Sequence, residues 1–217
     1  MANKIRKLNE LNNIESFIQI NLFKGFTYVD KAGELVNAFY KNTTPPQFSM
    51  NLDGLIIVKP DDITEEIKIS PIGYWAHYIN PSSLDQISTM YLKPYENITK
   101  ILDVGKITRV GWRNYFVYDY QNLAQREKAL DKFSLKTELK IEVSVFTFQL
   151  NDISSTITIR KASKNDKKNT PSLLLDIDSF KNFVEPIPEK HGAKELVEIR
   201  KMLQSEEFIE KINWILE

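Results

Sequence analysis

The sequence predicts an α+β protein: a mainly antiparallel sheet with helices packed on one face and a helix pair at the C-terminus. Three observations carry that expectation. Segments rich in β-branched and aromatic residues recur, several of them joined by turn dipeptides such as Asp53-Gly54 and Asn151-Asp152. The longest of these, Lys106 to Tyr120 (KITRVGWRNYFVYDY), alternates between an apolar side and a mixed side carrying two arginines. Apolar residues at spacings of three and four occupy Phe26 to Tyr40, Leu84 to Leu102 and the C-terminal stretch from Lys194.

In chain order, residues 1–13 are polar and read as a flexible N-terminus, which leaves 14–217 as a single α+β domain. Ile14 to Leu22 alternates and predicts a first strand. Phe26 to Tyr40 sets Phe26, Val29, Ala32, Leu35, Val36 and Phe39 on one helical stripe, and the double proline of KNTTPPQ ends it. Phe48 to Leu52, Gly54 to Val58, Glu66 to Ile69 and Gly73 to Ile79 predict four short strands of an antiparallel meander. A helix follows, with Ser82 or Ser83 as its cap and Asp85 in its first turn; Pro94 is expected to kink or split it.

After the central run, Asn122 to Phe133 predicts a short exposed helix. Glu138 to Leu150 predicts a long strand whose apolar side switches near Val145-Phe146, the mark of a bulge. Ser154 to Ala162 is its hairpin partner, Ser163 to Thr170 a polar loop, and Ser172 to Asp178 the last strand. Lys181 to Gly192 holds two prolines and reads as a linker. Two helices, Lys194 to Leu203 and Glu206 to Leu216, close the chain, the second capped by Ser205. The order strand, helix, strands, helix occurs twice, which suggests two related halves, 14–105 and 106–217.

Composition bounds the function. The chain has 217 residues, 42% hydrophobic and 27% charged, ordinary for a protein that buries a real core. Lys+Arg and Asp+Glu are each 29, and this neutrality argues against a protein whose main task is coating nucleic acid. There is no cysteine, so disulfides and thiol chemistry are excluded. With 7 glycines and neither G-x-G-x-x-G nor a P-loop, a phosphate-cradling loop is not expected. No apolar run is long enough to span a membrane and the first residues lack the apolar core of a signal peptide, so a cytoplasmic location and no membrane partner are expected.

The central run assigns its faces by alternation. Val110, Trp112, Asn114, Phe116, Tyr118 and Tyr120 form the better core face. Arg109, Gly111, Arg113, Tyr115, Val117 and Asp119 form the other. Arg109 and Arg113 suit a carboxylate or phosphate ligand, or acidic groups on a neighbouring strand. At these residues the chain resembles a sporadically distributed family of uncharacterised prokaryotic proteins, which share a central R-[IV]-G-x-R segment, here R-V-G-W-R-N-Y, and a late L-x-D-x-D-like strand, here LLLDIDSF from Leu173 to Phe180. Trp112 stands where that family usually has leucine, and Asn114-Tyr115 departs from its aromatic start. The resemblance implies no activity; the family's scattered distribution implies a role in prokaryotic defence or counter-defence.

The remaining candidates each have a plain structural reading beside the functional one. His77, in the aromatic strand with Tyr74, Trp75 and Tyr78, is of the type that titrates near neutrality, or is an ordinary strand residue. It and His191 are too far apart for a zinc pattern. Asp176 and Asp178 share one strand face and are the weak metal candidates; the Glu-x-Lys partner that a nuclease would add is only weakly matched, since Glu138, Lys140 and Glu142 are what any charged strand offers, and the plain reading is a strand end. Lys161, Lys164, Lys167 and Lys168 sit in a basic loop suited to phosphates, or simply to solvent.

The candidate ligand- or partner-binding residues are therefore Arg109, Trp112, Arg113, Tyr115, Tyr74, Trp75 and His77, with no catalytic residue and no cofactor. The expected function is a non-enzymatic module that binds another protein or itself. The alternatives are a nucleic-acid-binding protein or metal-dependent nuclease, and a small-ligand sensor.

Overall fold

In a computed structural model the described residues form one nine-stranded antiparallel sheet with six α-helices. The structure describes residues 4–22, 24–39, 47–60, 62, 64–133, 143–162 and 170–217. The strands are β1 (Asn12–Leu22), β2 (Gln47–Asn51), β3 (Gly54–Val58), β4 (Thr64–Ser70), β5 (Gly73–Ile79), β6 (Lys106–Asp119), β7 (Val143–Leu150), β8 (Ile153–Lys161) and β9 (Ser172–Pro188). The helices are α1 (Thr27–Asp30), α2 (Ala32–Ala38), α3 (Leu84–Ile101), α4 (Leu123–Asp131), α5 (Gly192–Leu203) and α6 (Glu206–Leu216). The sheet order is β2-β3-β4-β5-β1-β6-β9-β8-β7.

That order contains a repetition. Outward from the β1–β6 pair, one half reads first strand, last strand, then the meander backwards (β1-β5-β4-β3-β2), and the other does the same (β6-β9-β8-β7). A helix follows the last strand of each half, α3 after β5 and α5 after β9, and these two helices touch. The connectivity of the two parts is thus similar, with five strands on one side and four on the other.

Alternation decides which side of the sheet is covered. Ile18 and Ile20 of β1, Tyr74 and Ala76 of β5, Val110 and Trp112 of β6, and Leu175 and Ile177 of β9 are all buried on one face. The helices lie on that face: Tyr91 of α3 stacks on Tyr74 at 5.5 Å, and Phe208 of α6 meets Phe148 of β7 at 5.7 Å. Lys181 of β9 points to the same side, paired with Glu195 of α5 at 2.6 Å. Among the described residues no helix covers the opposite face.

Local signals explain most boundaries. Ser83, Asn122 and Ser205 cap α3, α4 and α6, each accepting a backbone N–H three residues on. Asn151 and Asp152 both have positive φ, 52° and 54°, which matches the twist of the β7–β8 hairpin. Gly54 turns β2 into β3 at φ 152°, where a Cβ would stand 2.6 Å from the Ile69 carbonyl oxygen.

Several expectations are corrected. The polar N-terminus is packed rather than loose from residue 4 onward: Ile5, Leu8 and Leu11 are buried, and Asn213 of α6 both donates to and accepts from the Ile5 backbone at 2.8 Å. The helix expected over Phe26–Tyr40 is broken at Lys31 into α1 and α2. Pro94 does not split α3, because a proline costs its own ladder bond while the neighbouring Tyr91 and Tyr95 stay anchored against the core. No bulge occurs at Val145-Phe146: the β7–β8 register is continuous, and both sides of this edge strand carry apolar residues. The expected linker from Lys181 is instead the second part of β9. Residues between Asn182 and Ile187 are looped out opposite Thr108, and β8 ends its pairing at Phe180, so the prolines interrupt no second ladder.

Candidate functional site

The register across four strands builds one cluster on the helix-free face. Phe17 of β1 lies opposite His77 of β5 on one side and Arg113 of β6 on the other. Gln19 lies between Trp75 and Gly111 in the same way. Across β6, Arg113 faces Asp178 of β9 and Gly111 faces Phe180. These residues share a face because their neighbours Ile18, Ala76, Trp112 and Ser179 take the buried side.

The two arginines behave differently. Arg113 reaches diagonally to Asp176, donating from Nε at 2.7 Å and from Nη2 at 2.5 Å, a bidentate fork. The hydrogen bonds to Asp176 raise the Arg113 pKa against the opposing effect of burial. Arg109 comes no closer than 3.7 Å to Asp178, and its buried Nε has no hydrogen-bond acceptor. Its guanidinium instead lies 4.4 Å from the centre of the Phe180 ring. Burial raises the Asp178 pKa, an effect that Arg109 and Arg113 only partly oppose.

Aromatic rings complete the surroundings. Phe17 and His77 stack with centroids 4.2 Å apart and planes 8° apart, and Tyr115 meets Phe17 edge-on at 6.0 Å. Lys68 sits 4.7 Å over Trp75, and Glu15 is 3.7 Å from His77. Between them is a depression of about 300 Å³ with Gly111 in its lining, flanked by the two arginines, Asp178 and the rings of Phe17, Trp75 and Tyr115. A Cβ at Gly111 would be in ordinary van der Waals contact, 3.6 Å from the Arg109 Nε and 3.5 Å from the Phe180 Cβ.

Of the expected binding residues, Arg109, Arg113, Tyr115, Trp75 and His77 are brought together here. Trp112 and Tyr74 are not: both are fully buried under the helices and form no surface. Asp176 and Asp178 do share a face, but each is engaged by an arginine, the first through both oxygens. Among the described residues no group of three or more carboxylates and histidines is placed to hold a metal ion. Lys161 lies opposite Leu173 and pairs with Glu127 of α4 at 3.0 Å, on the helix side. Lys164, Lys167, Lys168, Glu138, Lys140 and Glu142 lie outside the described residues.

Sequence reasoning missed Phe17, Gln19 and Phe180. Phe17 left a readable signal, an aromatic ring on the otherwise polar side of β1 between Glu15 and Gln19. Among the described residues no helix is long and apolar enough to cross a membrane. Compared with protein-family models and with curated proteins, the chain matches none.

Proposed function

We propose that the chain is a non-enzymatic binding module that docks a partner protein on the helix-free face of its sheet, around Trp75, Arg109 and Tyr115. The observation that supports this reading is the convergence of Trp, Tyr and Arg on one recess, since these residue types dominate the energetics of protein interfaces. Four adjacent strands hold them, so little side-chain order has to be gained on binding. Of the two aspartates that would serve a nuclease, Asp176 is bound through both oxygens by Arg113 and Asp178 faces Arg109 at 3.7 Å, which favours recognition over hydrolysis. The resemblance of the central segment to the prokaryotic family adds a setting, defence or counter-defence, in which to seek the partner.

The test begins with a photo-crosslinking residue at Tyr115, on the open face, and another at Lys211, on the helix side, in the native host. The protein captured from Tyr115 is then purified and its affinity measured directly. Trp75→Ala is expected to weaken it about 30-fold, the loss of about 2 kcal/mol typical of an interface hot spot. Parent-like affinity in both Trp75→Ala and Arg109→Ala, or capture of the same protein from Lys211, would place the docking surface elsewhere. If the captured protein is the chain itself, sedimentation of the same variants reports self-association.

A further inference from the structure

Arg109 and Arg113 stand on one strand, each beside an aspartate, yet only Arg113 has its fork filled. A guanidinium Nε that is buried without an acceptor is costly, and most such groups in folded proteins are satisfied. Asp178 does not satisfy it: the nearest approach of the pair is 3.7 Å, beyond hydrogen-bond length. The guanidinium packs beside Gly111, its centre 4.4 Å from the middle of the Phe180 ring. It therefore offers an under-used donor fork at the edge of the depression. Arg113 is balanced by Asp176, so the donor that the lining leaves unfilled is the Arg109 guanidinium, faced only by Asp178 at 3.7 Å. Carboxylate is the anion whose planar pair of oxygens matches such a fork, as Asp176 demonstrates one turn of the pleat away. Phe17 and Trp75 on the far side provide apolar walls for whatever carries it.

We propose that the depression over Gly111 binds a carboxylate, with the Arg109 guanidinium as donor and the Phe17 and Trp75 rings packing against the group that bears it. This rests on the docking reading: the carboxylate is the partner's anchor, presented by an acidic side chain or by a chain terminus. Asp178, 3.7 Å from the guanidinium, does not fill the fork but repels an incoming carboxylate.

Three small probes separate the sources. N-acetyl-Ala-Phe carries a terminal carboxylate, N-acetyl-Glu-Phe-amide a side-chain carboxylate, and N-acetyl-Gln-Phe-amide none. Each is titrated into the full chain while the Nε–H resonance of Arg109, assigned by its loss in Arg109→Lys, is followed by NMR. At least one carboxylate probe is expected to shift that resonance and to bind at least tenfold tighter than the glutamine probe; the better one names the source. Arg109→Lys should weaken it tenfold or more, and Asp178→Asn should tighten it. Equal binding of the glutamine probe, an unmoved Nε–H resonance, or parent-like affinity in Arg109→Lys would overturn the proposal. The two readings fail separately. Loss of the partner in Trp75→Ala with no carboxylate binding leaves docking intact with another anchor. Carboxylate binding with an unaffected partner makes the recess a small-ligand site and removes docking.

Discussion

Replacing Arg113 by alanine asks what a half-exposed cation contributes when its anion is buried. The Arg113 side chain is 47% exposed, while that of Asp176 is 10% exposed. A pair fully open to water contributes about 0–1 kcal/mol, and removing one partner of a fully buried pair costs about 3–5 kcal/mol. Arg113→Ala falls between, at about 2 kcal/mol, because two charge-assisted hydrogen bonds vanish and water reaches the stranded carboxylate only from the guanidinium's side. Asp176→Ala should cost less, about 1 kcal/mol, since the freed guanidinium can rehydrate. The double variant removes the stranded charge as well, so it should cost about 1.5 kcal/mol rather than the sum, a coupling of about 1.5 kcal/mol. Urea melts at neutral pH measure all four corners of the cycle. For a chain of this size the Arg113→Ala loss corresponds to a drop in Tm of roughly 4–8 °C. Additive single variants, or an Arg113→Ala cost under about 0.5 kcal/mol, would show that the fork is a surface ornament and that Asp176 is solvated from elsewhere.

Two further outcomes are expected. Trp112→Ala, which empties a fully buried site beneath the helices, should destabilise by about 3–5 kcal/mol in the same urea melts. Asp178, its pKa raised by burial, stabilises the fold most fully below the ordinary aspartate value of about 3.9 and loses that contribution as pH rises through its folded value. The stability of Asp178→Asn relative to the parent should therefore improve between pH 4 and pH 7, and a flat difference across that window would refute the assignment.

What was legible in the sequence was what depends on nearest neighbours. The alternation of β6 separated Trp112 from Arg109 and Arg113 correctly, the limits of β3 and β5 were readable from Gly54 and Gly73, and Ser83 and Ser205 announced their helices. What depends on register was hidden. Asp176 and Asp178 read as a metal pair because nothing local says that β9 inserts between β6 and β8 and sets both beside arginines. Phe17 looked like one more strand residue until β5 and β6 closed on either side of it. Pro186 and Pro188 were read as chain breakers, although β9 passes them where no strand lies on its other side. The N-terminal residues looked soluble in composition, but the few apolar ones, Ile5, Leu8 and Leu11, are buried, and Ile5 is tied to Asn213 of α6.

The repetition of the two halves has a consequence for how the chain is made. During synthesis from the N-terminus, β1 receives β5 on one side once Ile79 has emerged, and the first half can then cover its core with α3. The other side of β1 waits for β6, whose last residue, Asp119, is 40 positions further on (119 − 79). At roughly 5–20 residues per second that interval lasts about 2–8 s, during which a complete half-sheet presents an unpaired strand to the cell. The pairing that finally closes it, Ile18 beside Trp112, joins residues far apart in sequence and is entropically the slowest kind to form. A nascent chain stalled between α3 and β6 therefore carries an edge already shaped for a β6 strand, and the nearest copy of one belongs to another ribosome on the same message.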